Sequence, residues 1–200
     1  MAQLLEQVGD VGEARVITTL QPDDLPMPPP LYSHRTRVVA SLAESLTHSA
    51  WLALVGGPGE GKTQLALATA SSLYAVALRW ISFRNVEPVA TEPHLREQLA
   101  LWIAELETAS ERLPLYLPMG AAQLAKRVTA VAPGRVVLVV DNLPDPLGAP
   151  ALFEAITALA AIFAHNGLAL LTTGHWAPPP AVVTTKTVGF SSASRGAIRP

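Results

Sequence analysis

Trp51-Leu52-Ala53-Leu54-Val55-Gly56-Gly57-Pro58-Gly59-Glu60-Gly61-Lys62-Thr63-Gln64-Leu65-Ala66-Leu67-Ala68-Thr69-Ala70 decides the fold of this chain. An apolar run of strand character feeds a glycine-rich bend, and the bend opens into a helix-prone segment. That order is the setting in which a glycine-rich turn has a mechanism as a P-loop. Glycines allow backbone angles and close approaches that a Cβ would block, so successive N–H groups can turn inward around phosphate oxygens. Gly57, Pro58, Gly59, Glu60, Gly61, Lys62, Thr63 and Gln64 are therefore the expected cofactor-binding residues. Lys62 is expected to reach the outer phosphates and Thr63 to ligate Mg²⁺, with the helix dipole aimed at the same anion.

Outward from this stretch the chain alternates strand-like and helix-like segments. Upstream, Thr36 to Leu46 carries apolar residues at helical spacing. Downstream come a strand over 75–83, a helix over 94–106, a helix over 121–131, and the continuously apolar Arg135-Val136-Val137-Leu138-Val139-Val140-Asp141. Such a Val/Leu run is expected of a parallel strand covered on both faces. A helix over 151–164 and the strand Leu168-Ala169-Leu170-Leu171-Thr172-Thr173 follow, with a last strand around 182–188. Repeated strand–helix alternation predicts a doubly wound α/β sheet with helices on both faces.

Asp141 ends its strand on the side where ligands bind in open parallel sheets, so it is the second expected Mg²⁺ ligand after Thr63. Thr172 and Thr173 end the later strand and can place a hydroxyl near a terminal phosphate or the attacking water; strand-end capping is the competing role. Lys62, Asp141, Asn142 and Thr172 are the expected catalytic set.

Leu31-Tyr32-Ser33-His34-Arg35, the glycine-rich loop, Val139-Val140-Asp141-Asn142-Leu143-Pro144-Asp145-Pro146 and Leu170-Leu171-Thr172-Thr173-Gly174-His175 together resemble the NB-ARC type of STAND nucleotide-binding domains. The resemblance covers about residues 26 to 190. It implies a mainly parallel five-stranded sheet of order 5-1-4-3-2 and an ATP/ADP switch module inside a larger signalling ATPase. It also implies ATP or ADP with Mg²⁺ as ligands, Arg35 as an adenine-side binding residue, C-terminal regulatory lobes outside this chain and self-oligomerisation. Three positions depart from the family pattern: His34-Arg35 replaces Gly-Arg, Asn142 replaces a second acid, and Gly174 replaces an arginine that senses the γ-phosphate, with His175 beside it. An amide cannot take a proton from water as a carboxylate can, so slow or absent hydrolysis is expected. Asp145 is the alternative carboxylate, or else an acid in a solvated turn. A small-molecule kinase is a competing reading, although the connection from Asn85 to Glu97, with Arg96 as its arginine, has no lid signature. A catalytically decayed docking module is a third.

Composition bounds the remainder. The chain has 200 residues, half of them hydrophobic, which is enough for a full core and one main domain. A net charge of −2 gives no global reason to expect nucleic acid or an anionic membrane. The absence of cysteine rules out disulfides, and Met1 to Gln7 lacks the pattern of a secretory signal, so a cytoplasmic setting is expected. The expected organisation is an N-terminal segment and proline-rich linker over 1–30, a nucleotide-binding domain over 31–190, and a flexible end or the start of a further region over 191–200. The role of residues 1–20 stays open between an edge strand, a docking segment and the tail of an upstream unit. The five histidines are scattered without metal-ligand spacing, Trp80, Trp102 and Trp176 read as packing residues, and Arg79 and Arg84 read as strand-end charges or fingers toward a neighbour.

Overall fold

The computed structural model describes residues 17–18, 36–73, 75, 77–132, 134–176 and 185–189. Arg35, the rest of the Leu31–Arg35 motif, the proline-rich linker and the expected flexible end at 191–200 lie outside the described residues. Elements follow in the order β1 (Ile17–Thr18), α1 (Thr36–His48), β2 (Trp51–Val55), α2 (Lys62–Ser71), β3 (Ala77–Ser82), α3 (Thr91–Leu106), α4 (Leu113–Tyr116), α5 (Ala121–Val131), β4 (Val136–Leu143), α6 (Pro150–His165), β5 (Ala169–Gly174) and β6 (Thr185–Gly189).

The strands form a parallel sheet in the order β1-β3-β4-β5-β2-β6. Its centre is four strands, which read 1-4-3-2 when counted from the P-loop strand β2. The expected count of five is corrected: a two-residue strand, β1, lies at one edge beside β3, and β6 lies at the other beside β2. The strand expected around 182–188 is β6, and the addition is β1, whose pairing is made by backbone hydrogen bonds and needs no long apolar run.

Alternation along the central strands divides the core in two. Trp51, Ile81, Val136, Leu138, Val140 and Leu170 pack with α3, α5 and α6. Leu52, Leu54, Trp80, Val137, Val139 and Leu171 pack with α1 and α2. Both faces of β4 are thus covered, which is why its sequence is apolar without interruption. The helix expected from His94 begins earlier, at Thr91, because Pro93 sits in the first turn, where a missing N–H costs nothing. The short helix α4 between α3 and α5 has no counterpart in the sequence reading; four residues carry too little periodicity to register. Among the described residues no helix is long and apolar enough to cross a membrane.

Candidate functional site

The carboxyl ends of β2, β3, β4 and β5 open on a cleft of about 620 Å³. Its lining includes the P-loop residues Pro58, Gly59, Gly61, Lys62, Thr63 and Gln64. Opposite them stand Asp141 and Asn142 from β4, Thr173 and His175 from the end of β5, and Trp80, Ser82 and Arg84 from β3 and its exit.

The loop takes its shape from glycine. Gly59 and Gly61 have φ of 73° and 79°, left-handed conformations that a Cβ would strain. Gly61 is also the N-cap of α2, and it brings no side-chain cap to the first turn. Gly61 offers no side chain to the first N–H groups of α2, which face the cleft end of the helix with the positive end of its dipole behind them. Lys62 lies across the bend, its Nζ donating to the carbonyl oxygens of Gly56 at 2.9 Å and Gly57 at 2.7 Å. Burial holds its ammonium below the ordinary lysine value, although Glu60 and Asp141 pull the other way. The Glu60 carboxylate turns inward and accepts the Gly57 N–H at 2.9 Å.

The opposite wall is set by a β-bulge. Val140 pairs with Thr172 and Leu143 pairs with Gly174, so β4 advances three residues while β5 advances two. Asp141 and Asn142 both face Thr173 across this irregularity, and Asn142 takes a φ of 61° to make the bend. The Thr173 hydroxyl ties the bulge together. It donates to Asp141 Oδ1 at 2.6 Å and accepts the Asn142 N–H at 2.9 Å. Thr63 Oγ1 donates to the same Oδ1 at 2.9 Å, which joins the P-loop helix to the tip of β4. Bulges beside functional sites re-aim side chains in this way.

The structure therefore brings Pro58, Lys62, Thr63, Gln64, Asp141 and Asn142 into one cleft with Gly59 and Gly61, whereas Gly57 and Glu60 are not among its lining residues. Thr172 is not among them. It is 1% exposed and its hydroxyl accepts the Trp51 indole N–H at 3.0 Å on the other face of the sheet. The expected catalytic threonine is corrected on this ground: side chains alternate along a strand, so Thr172 and Thr173 cannot share a face, and Thr173 carries the parity of Asp141. Gly174 does not face the cleft as an arginine would; a Cβ there would stand 3.4 Å from Leu143 Cβ. His175 sits at the rim, its Nδ1 3.0 Å from the Gly56 carbonyl oxygen.

Asp145 accepts the Leu147 N–H at 3.0 Å and shapes its own turn, so it does not replace the missing acid at position 142. Among the two arginines of β3 and its exit, Arg79 faces away and pairs with Glu105 at 3.0 Å, whereas Arg84 lines the cleft. Of the tryptophans, Trp102 is fully buried and Trp80 is buried at the cleft wall, but Trp176 is 57% exposed and is not a packing residue. Among the described residues no group of three or more His, Asp or Glu side chains is placed to hold a metal ion.

Two features of the cleft fit a Mg·nucleotide. Thr63 Oγ1 and Asp141 Oδ1 form an all-oxygen donor pair suited to a hard cation that keeps most of its water. Gln64 Oε1 is buried without a hydrogen-bond partner beside the uncapped helix end, an acceptor that a ligand or ordered water would satisfy.

No family model and no curated protein matches the chain. Among solved structures, it is similar to a Walker-type ATPase of Pyrococcus abyssi, with a TM-score of 0.56 and 15% identity over 80% of this chain and 55% of that one. It also aligns with Drosophila ORC bound to GC-rich DNA and Cdc6, at a TM-score of 0.49 and 15% identity, over 81% of this chain and 30% of that one. The chain thus spans little more than half the length of the ATPase. A parallel sheet centred on 1-4-3-2, a glycine-rich loop between its first strand and helix, and an acid at the tip of the neighbouring apolar strand give this chain the fold of the P-loop NTPases.

Proposed function

We propose that this chain is an ATP/ADP-binding regulatory module of the STAND type, with Mg²⁺ held between Thr63 and Asp141 and with slow intrinsic hydrolysis. The observation that carries the reading is the 2.9 Å hydrogen bond from Thr63 to an Asp141 carboxylate that Thr173 also fixes. That contact joins a hydroxyl and a carboxylate of the kind that a P-loop site uses around a metal, which supports the reading. The ion would supply neutralisation of phosphate charge. The loop N–H groups and Lys62 would hold the phosphates, and Gln64 would meet a polar group beside the helix end.

Slow hydrolysis follows from what surrounds a water in this cleft. Asp141 is the carboxylate among the lining residues, and it is engaged with Thr63 and Thr173. Asn142, exposed on the bulge, can orient water but cannot take its proton. Losing a general base costs about 10²- to 10⁴-fold in rate without removing affinity. Such a site can hold its triphosphate long enough for the bound state to act as a signal through differential contacts.

The kinase alternative finds less support. Arg96, the arginine of the segment where a lid would be sought, pairs with Glu92 at 2.8 Å one turn away on α3. Titration of ATP, ADP and GTP with Mg²⁺ against the wild type and Lys62→Ala, followed by a phosphate-release assay, tests the proposal. Adenine-nucleotide binding that disappears in the variant, with slow release in the wild type, is expected. Fast transfer to an added small-molecule acceptor would favour the kinase.

A further inference from the structure

We propose that Arg84 makes this cleft discriminate nucleoside triphosphate from diphosphate, by setting an uncommitted guanidinium at the β3 side of the site; the inference rests on the nucleotide reading above.

The placement follows from strand parity. Trp80 belongs to the core on the α2 face, and Ser82 pairs in register with Asp141. Phe83 turns to the opposite core, where its ring meets His94 edge-on at 5.5 Å. Arg84 returns to the face of Asp141, Thr173 and Lys62, and it lines the cleft with them. It leaves the strand just before Asn85, whose φ of 65° turns the chain away.

Charge distinguishes it from the other cations. Lys62 lies on the loop carbonyls of Gly56 and Gly57. His175 reaches the Gly56 carbonyl, and Arg79 pairs with Glu105 and donates to Gln98 at 3.0 Å. Among the described residues Arg84 has no carboxylate partner, and its backbone N–H, not its guanidinium, bonds to Ser82 Oγ. An exposed arginine with no ion pair, beside a cavity that already holds one acid, is poised for an anion that arrives with the ligand.

The order of groups across the sheet indicates which part of the ligand that is. From β2 to β3 the cleft presents the P-loop and Lys62, then Thr173, then Asp141, then Arg84. Phosphates anchored in the loop are met by its N–H groups and by Lys62. A further phosphoryl group extends toward β4 and β3 and brings about one to two more negative charges next to Asp141. Even with Mg²⁺ held at Asp141, the added group brings further negative charge to a wall that already carries that carboxylate, and a second cation beside it favours its binding. Arg84 is the side chain placed to do this, with a planar fork suited to phosphate oxygens.

Calorimetric titration of ATP and ADP, each with Mg²⁺, against wild type, Arg84→Ala, Arg84→Lys and Lys62→Ala tests the inference. Arg84→Ala is expected to weaken ATP about tenfold to a hundredfold while ADP changes by less than about threefold. Arg84→Lys should recover part of the ATP affinity, since charge returns without the fork. Lys62→Ala should lose both ligands. Equal losses of ATP and ADP in Arg84→Ala, or no loss of either, would overturn the role of Arg84 while leaving the nucleotide site standing. Failure of the wild type to bind either ligand would overturn both. Arg84 is exposed, so its variants are expected to keep the wild-type melting temperature.

Discussion

Two carboxylates in this molecule gather polar partners, and they gather opposite kinds. Glu107, at the end of α3, accepts from the Tyr116 hydroxyl and pairs with Arg127 and with Arg112 at 3.6 Å. Asp141, at the end of β4, accepts the hydroxyls of Thr63 and Thr173. Guanidinium groups pair with the first carboxylate; the second has no arginine partner among the described residues and stands in the wall of a cavity. A carboxylate answered by its own chain ties elements together, and here α3, α4 and α5 are those elements. One oriented by neutral donors and left open is prepared for a cation that the chain does not supply.

The largest effect expected from this contrast is on ligand binding. Lys62→Ala should lower Mg·ATP affinity by more than about a hundredfold, because it removes the fixed cation of the bend. Glu107→Gln should leave that affinity unchanged, and calorimetry on both variants reads the difference. Loss of affinity in Glu107→Gln would join the two clusters functionally and undo the contrast.

The second effect concerns neighbouring threonines of β5. Thr173→Val should weaken Mg·ATP about tenfold by freeing Asp141 Oδ1 and the Asn142 N–H. Thr172→Val should leave affinity alone yet destabilise the fold by about 1–3 kcal/mol, since the Trp51 indole N–H would be buried without a partner. Denaturant melts and titrations on the pair separate the roles. An affinity loss in Thr172→Val matching that of Thr173→Val would mean that parity does not govern the site.

The smallest effect is electrostatic stabilisation at Glu107. The Tyr116 hydroxyl, then Arg127 and Arg112, holds its carboxyl below the ordinary value of 4.5. A group whose folded pKa is depressed adds stability above its unfolded pKa and loses it as pH falls through the folded one. Wild type should therefore melt a few degrees above Glu107→Gln at neutral pH, and the gap should close as pH falls through the depressed folded pKa of Glu107. A gap that widened on acidification would contradict the cause assigned here.

Much of this was legible in the sequence because its signals are local. The Trp51–Val55 run, the glycines and the Lys62-Thr63 pair announce strand, bend and helix within one short stretch, and the valine run of β4 announces a strand covered on both sides. What the sequence did not disclose depends on register between distant segments. Either Thr172 or Thr173 could have faced Asp141, and only the register of β4 against β5, with Val140 opposite Thr172, settles which one does. Arg79 and Arg84 look alike in the sequence, and only the fold separates them, by bringing Glu105 and Gln98 of α3 to Arg79 and setting Arg84 in the cleft wall. The edge strand β1 is the edge-strand alternative for residues 1–20, and the sequence could not choose it because its pairing with β3 is made by backbone groups that every residue has.

Direct comparison of ATP binding with and without Mg²⁺ in the wild type and in Asp141→Asn goes to the centre of the account. Wild type should bind ATP more tightly with the ion than without it, and Asp141→Asn should bind with a weak affinity that the ion no longer improves. Undiminished Mg²⁺ dependence in the variant, or a wild type that ignores ATP altogether, would contradict a site built between the glycine-rich bend and the tip of β4.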